Sequence, residues 1–595
     1  MSKLYPLLQI SLCTFGYLCA TGSRAIAQVT SDGTVNTQVT QNDNVAEITG
    51  GETRGSNLFH SFQDFSIQTG NEAFFNNADS IANIFSRVTG GNISDIDGAI
   101  RANGSASLFL INPAGIVFGE NASLNLGGSF YGSTADSILF EDGEFSAVDN
   151  LQQSILTINA PIGLSFRDEP GDIVNRSFVQ NGAGEFVGLE VLSGQTLALV
   201  GGDINFEAGE ATASGGNIYL GGLAQTGIVE FNEDGSLNFA EDVTLANITL
   251  TNAADIDVRG TGGGSVTVNA RNLTLKAADF GRNLKGENFD SRQSLIRGGI
   301  SFESTDPEAQ AGDVIVNVAE NITLDNSEIV NQVNSGGTGN SGNIIINTDS
   351  LELVFNGELN TNNLSNGNPG AIDITATEVL LRDNALISAD SRFFGKGGTI
   401  DLEIDNTLIL NGSSISALGF SDGGSINIDT DLIAGVSSGG PFGSIITASA
   451  LQGTDGTVTI NAELVVGFPL SISESPVNIG SVGLDSSNKI ISTDATKTIA
   501  EACSSYRNIE AKSDLIIEGR GGIIPEPGLP LNSNNIIGNG EANSTSTVPA
   551  PIETAQGKIQ PARGIKVTED GTITLTAYRT DNAGQRIPQA EQYCN

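Results

Sequence analysis

The 595-residue chain holds one histidine, His60, and four cysteines, so imidazole catalysis has a single candidate and a His-rich metal site is excluded. His60 stands between Phe59 and Phe62 with no partner for general-base or metal work nearby, which predicts a packed or hydrogen-bonded ring. Gly435-Val436-Ser437-Ser438-Gly439 matches the G-x-S-x-G nucleophile pattern. That chemistry needs a strand-to-helix elbow and a histidine base, whereas this stretch lies among Gly and Ser before Pro441, where chance explains it. The carboxylates offer more. Asp373 and Asp401 are 28 residues apart and Asn427 follows 26 later, all at one position of a recurring unit. Two such carboxylates could hold Ca²⁺ or act as an acid/base pair; the competing reading is a solvent-facing column with mild, screened repulsion.

The unit that places them begins near residue 262. Gly264, Gly312, Gly342, Gly370, Gly398, Gly424 and Gly456 each open a short alternating strand, at separations of 48, 30, 28, 28, 26 and 32 residues. Such regularity predicts a solenoid, with an inserted loop between residues 276 and 305 in the wide first gap. Two and four residues after each Gly stands Val, Ile or Leu, as in Val266 and Val268 or Ile400 and Leu402. Three residues after it the series runs Thr267, Ile315, Ile345, Asp373, Asp401, Asn427, Thr459. Uniform positions are read as inward, varied ones as outward. Asn269, Asn317 and Asn347, five residues after the Gly, suggest amides bonded from coil to coil. A second alternation (Leu408, Leu410) and a third (Ile415, Ala417) complete the unit. The expected fold is therefore all-β, a single-stranded parallel β-helix with three short strands per coil, stacked at ~4.8 Å. The glycine is expected to supply a turn conformation that a Cβ resists.

Composition agrees: 74 Gly, one Met, no Trp and 16% charged residues favour strands and turns. Residues 1–27 read as a signal peptide, with Lys3, an apolar stretch from Leu4 to Ala20, and Ala25-Ile26-Ala27 before a cleavage site at Gln28. The Sec translocon and signal peptidase are the implied handlers. A membrane anchor is the alternative, disfavoured by Pro6, Gln9, Ser11 and Gly16. Loss of Lys3 and Arg24 takes the net charge from -42 to -44. That charge argues against nucleic acid and anionic lipid as partners, and serves solubility or loose binding of divalent cations. Cys13 and Cys19 leave with the leader. Cys503 and Cys594 are expected to form a disulfide worth ~3 to 5 kcal/mol, the alternatives being a free thiol or an intermolecular bridge.

Residues 28–165 differ from the repeats. They are richer in Phe and carry Asn57-Leu58-Phe59-His60-Ser61-Phe62, Phe74-Phe75-Asn76-Asn77, Ser86-Arg87-Val88-Thr89-Gly90-Gly91, and Leu108 to Gly119 with Asn112-Pro113-Ala114-Gly115-Ile116 inside it. In this segment the chain resembles the N-terminal secretion domain of the filamentous haemagglutinin family, exported partners of two-partner secretion. The resemblance implies a right-handed β-helix whose capped N-terminal part is recognised in the periplasm by an Omp85-type outer-membrane transporter, which passes the chain outward unfolded. It places the secretion motif on Asn57, Phe59, His60, Phe62, Asn112, Pro113, Gly115 and Ile116. Ala114 departs from the family's Asn-Pro-Asn-Gly-Ile, and the family's Asn-Pro-Asn-Leu is not found. The motif's physics is a turn, so the same residues also suit a plain corner of the solenoid.

The expected organisation is a signal peptide over 1–27, a secretion domain over 28–165, β-helix repeats over 166–500, and a C-terminal segment over 501–595. The last contains a Pro-rich linker, a final hairpin over Gly564 to Val567 and Gly571 to Ala577, and a disulfide-held cap. The expected function is that of a non-enzymatic exoprotein without cofactors, secreted or held at the surface of a Gram-negative-type cell. It would serve as an adhesin or matrix component toward a host-surface or matrix glycan or protein. The alternative is a secreted polysaccharide-active β-helix enzyme using Asp373 and Asp401 with Ca²⁺.

Overall fold

The structure, a computed structural model, describes residues 28–149, 156–232, 235–240, 243–278, 293–393, 395–436 and 443–467. Beyond them it describes the strands Leu470–Ile472, Val477–Gly480, Ile552–Thr554, Gly557–Ile559, Gly564–Val567 and Ile573–Thr576. Among these residues every regular element is a strand. The unit that ends at Asn488 is a solenoid. Successive coils present a first, a second and a third strand segment, each paired in parallel with its equivalent one coil away. Thus Asn83–Val88 pairs Asn57–Asp64 and Ser107–Ile111 on the first face. Ser94–Ile96 pairs Ile116–Phe118 on the second, and Glu72–Phe75 pairs Ala99–Ala102 on the third.

The repeat register is the one the spacing predicts. Val266 pairs Val314, Ile344 pairs Ile372, and Ile400 pairs Ile426, and all of these side chains are buried. One continuous apolar core runs from Val29 to Ala462. The Asn column is also present, Asn317 Nδ2 donating to Asn269 Oδ1 at 3.1 Å and Asn347 Nδ2 to Asn317 Oδ1 at 2.9 Å.

Three expectations about the repeat are corrected. The first two alternations are one bent strand, such as Thr399–Asn411, whose corner is a register shift between Ile404 and Thr407; a bulge turns the chain where a separate turn was expected. Of the seven key glycines only Gly264 has a positive φ, +73°. A Cβ on Gly342, Gly370, Gly424 or Gly456 would lie 1.8–2.0 Å from the carbonyl oxygen of the equivalent glycine one coil earlier. Glycine is needed there for close stacking. Left-handed backbone instead occupies the turn after the second face, at Asn326, Phe355, Asp383 and Gly412. Finally, Leu295–Ile300 belongs to the third face, pairing Asp255–Asp257 and Glu328–Val333, so the insertion is shorter than the sequence suggested.

Two excursions decorate the N-terminal coils. Residues 134–172 and 223–247 both leave after a first-face strand and return at a second-face strand. Together they build an antiparallel five-stranded sheet from Gly143–Ser146, Ser137–Phe140, Pro161–Phe166, Gly227–Phe231 and Leu237–Phe239. This sheet roofs the outward column of the first face. The column runs Phe59, Phe85, Phe109, Tyr131, Ala198, Tyr219 in register, and its rings stack at 5.1, 4.9 and 4.3 Å between centroids from Phe59 to Tyr131. Phe140, Phe145, Leu164, Phe166 and Val229 close over it as a second apolar core. The same column continues unroofed through Thr267, Ile315 and Ile345 to Asp373 and Asp401.

In the unit from Lys489 onward, Gly564–Val567 and Ile573–Thr576 pair antiparallel, as the sequence predicts, and Ile552–Thr554 pairs Gly557–Ile559. The signal peptide, Cys503 and Cys594 lie outside the described residues, as does Ser437 of the G-x-S-x-G match.

Candidate functional site

The predicted secretion residues gather at the N-terminal end. Asn57–Asp64 is the first strand of the first face and would expose an unpaired edge, a hazard that solenoids must cover. Two short antiparallel strands cover it. Glu52–Arg54 pairs the Asn57 end and Thr30–Ser31 the Asp64 end. At the gap between them, Thr37 Oγ1 accepts the Ser61 N–H at 3.1 Å and the Asp32 N–H donates to the Ser61 carbonyl at 3.4 Å. The hairpin Thr37–Asn42 with Val45–Gly50 then leads into the third face.

None of Asn57, Phe59, His60 and Phe62 is exposed. Asn57 Nδ2 donates to the carbonyls of Thr157 and Asn159 at 3.1 and 2.8 Å, and its Oδ1 accepts from Asn83 Nδ2 at 3.0 Å. Phe59 packs under the roof, while Phe62 joins the solenoid core. His60 is 1% exposed. Its Nδ1 is 3.1 Å from Thr37 Oγ1, and Phe62 and Phe75 lie 6.0 and 5.6 Å from its ring. Burial pushes its pKa down to about 4. It is the packed, hydrogen-bonded ring that the sequence predicts.

Asn112 to Ile116 forms a corner between the first and second faces. Asn112 is buried; its Nδ2 donates to the Asn92 carbonyl and to Ser94 Oγ, both at 2.9 Å, and its Oδ1 accepts the Ala114 N–H at 3.0 Å. The Gly115 N–H donates to the Asn112 carbonyl at 3.0 Å, closing the turn. Gly115 has φ +122°, and a Cβ there would meet the Asp172 carbonyl at 3.1 Å. Ile116 is buried in the core, so only Pro113 and Ala114 present partly exposed atoms.

Sequence reasoning missed two charged features. Arg87 is fully buried, and desolvation pushes it down to about 10 although Asp32 opposes this. Asp32 itself is raised by burial but held below its ordinary value by hydrogen bonds from Ser61, Thr34 and Thr89. On the third face Arg297 pairs with Asp255 and Asp257, and Arg259 with Asp257 at 2.6 Å. Arg87 stood in a quoted run, but nothing in the repeat pattern says that its column is roofed.

Asp373 and Asp401 are direct register partners and line a shallow depression with Glu403, Asn427 and Asp429. Burial, then Asp401 and Asp313, raise the Asp373 carboxyl. Asp401 Oδ1 accepts from Asn427 Nδ2 at 2.6 Å. Arg382 turns to Glu352 and Asp383, and Lys396 to Asp422. Among the described residues no three His, Cys, Asp or Glu side chains gather as a metal-holding group.

The family description of the TPS secretion domain matches residues 27–268, the capped coils together with their roof. Residues 27–268 are a TPS secretion domain. The match runs past residue 165, consistent with a roof whose strands come from both sides of that position. A chain bearing a TPS domain is an exoprotein of two-partner secretion, secreted or surface-associated, with a transporter of the TpsB type as its partner. Among solved structures, the HMW1 secretion domain from Haemophilus influenzae is similar at 17% identity, covering 76% of this chain and 99% of that one, with a TM-score of 0.45. A filamentous hemagglutinin secretion domain is similar at 16% identity, covering 58% and 96%, with a TM-score of 0.27. No curated protein matches.

Proposed function

We propose that the chain is a non-enzymatic exoprotein that crosses the periplasm of a Gram-negative-type cell and reaches the surface or medium through an Omp85-type outer-membrane transporter. There it acts by surface contact as an adhesin or matrix component. Residues 1–27 are its Sec signal, removed by signal peptidase, and the TPS domain is its export address. The observation carrying this reading is the coincidence of the family match over 27–268 with the capped, roofed end of the solenoid. Beyond that end the coils offer an extended surface suited to a glycan or protein ligand. Cys503 and Cys594, which lie outside the described residues, are the chain's candidate disulfide pair.

Expression in cells with and without the transporter, with surface protein measured by protease shaving, tests the route. Deleting residues 57 to 118 is expected to leave the chain in the periplasm. Undiminished surface delivery of that deletion would refute the export address.

A further inference from the structure

Arg87 is the largest fully buried side chain among the described residues, and it sits where three separate pieces of chain meet. Its Nε donates to Ser61 Oγ of the first coil at 2.8 Å. Its Nη2 donates to Thr34 Oγ1 of the N-terminal cap at 2.8 Å, and its Nη1 to the Ser146 carbonyl of the roof at 2.5 Å. The Phe145 ring lies 4.4 Å from the guanidinium carbon, and Asp32 is the charge that faces it. Asp32 in turn accepts from Ser61 Oγ at 2.6 Å and Thr89 Oγ1 at 2.9 Å. The partners stand 26, 53 and 59 residues from Arg87 in sequence. The planar guanidinium fork, with its five N–H donors, reaches all three directions at once.

A buried cation stripped of one partner is strongly unfavourable, because the remaining charge is left in a medium that cannot solvate it. Coil stacking alone would let the first coils settle without help from later sequence. With Arg87 at the seam, they settle in water-free form only when Thr34 and Ser146 have both arrived. We propose that Arg87 joins the cap from Thr30 to Arg54, the first two coils and the roof hairpin Ser137 to Ser146 into a single ordering unit. For export, a consequence that rests on the function proposed above, the opening coils stay unlocked until the segments carrying Thr34, Ser61, Arg87 and Ser146 have all emerged.

Native-state hydrogen exchange on the purified full-length mature protein tests the joint without reference to export. In the wild type, segments 30–37, 57–64 and 137–146 are expected to open with one common free energy. Arg87→Met, which keeps the bulk and removes the charge, is expected to separate the openings of 57–64 and 137–146 by at least tenfold. Should that variant fail to fold, Thr34→Val serves. Thr34→Val removes two hydrogen bonds to charged groups, one from Arg87 and one to Asp32, each worth on the order of tenfold in exchange, and the acceleration is expected equally at 30–37 and at 137–146, which Thr34 reaches through Arg87. Unequal openings in the wild type, or a Thr34→Val effect confined to 30–64, would overturn the proposal.

Discussion

Acidification is expected to loosen the N-terminal cap through His60. In the folded state its imidazole is neutral to about pH 4, while in the unfolded chain it takes a proton near 6.5. Between those values the unfolded state holds more protons, so the stability His60 contributes is complete above pH 6.5 and is lost as the pH falls toward 4. A difference of roughly 2.5 pH units corresponds to about 3 kcal/mol at one kcal-scale step of 1.36 per unit. Asp32, whose pKa is lowered, contributes with the same sign but below its ordinary value of 3.8, so the His60 window comes first. Because the chain has one histidine, ¹³C-histidine labelling gives one imidazole signal, and NMR titration reads it directly. The expected result is a signal that keeps its neutral shift down to about pH 4, accompanied by roughly hundredfold faster amide exchange at Thr37 and Ser61 between pH 7 and 4 after correction for intrinsic rates. A folded-state signal titrating near 6.5 would refute the reasoning, since it would mean that the ring is solvated.

Glu358 should show the opposite sign. Burial and then Glu328, its register partner, push it up to about 7, so the folded state binds the extra proton and stability falls as pH rises from 4.5 to 7; Glu358→Gln is expected to stabilise the repeats by on the order of 2 kcal/mol at pH 8 and to be neutral at pH 4.5, as measured by denaturant melts. Asn112→Ala removes three buried hydrogen bonds and should cost about 2–4 kcal/mol; an unchanged midpoint with export lost would assign Asn112 to recognition rather than to the corner. Around Asp373 and Asp401 no three carboxylates converge on one point among the described residues, so millimolar Ca²⁺ should leave the thermal midpoint unchanged, and saturable calorimetric binding abolished by Asp401→Ala would contradict this.

Much of the fold was legible because a coil repeats its own logic. Val266, Val314 and Ile344 stack where the spacing puts them, and Asn269, Asn317 and Asn347 bond as their recurrence suggests. What escaped was whatever the repeat does not encode. The glycine column looked like turn chemistry because Gly permits positive φ, yet it answers a carbonyl one coil away, a contact no single unit displays. The roof is built from two insertions without periodicity whose strands pair only in space. The surroundings of Arg87 and Glu358 escaped for the same reason, since one is roofed and the other faces a like charge in the preceding coil. The packed ring expected for His60 is seen, but only one of its two aromatic neighbours in sequence, Phe62, lies against it; Phe59 points under the roof, and Phe75 of the third face takes its place.

The roof also changes the kind of object this solenoid is. An array in which each coil touches only the coils beside it behaves as a one-dimensional chain, able to fray, melt or be pulled apart coil by coil. The two excursions leave from the coils of Phe130–Ser133 and Asn217–Gly222, which are separated by the coil of Thr196–Gly201, and they pair with each other through Pro161–Phe166 and Gly227–Phe231. That pairing is a brace between second neighbours. Nearest-neighbour statistics should describe the coils after Gly264 and fail before it, and a chain stretched from its ends should yield from the unbraced coils first, giving many small extensions there and one large step at the N-terminal end.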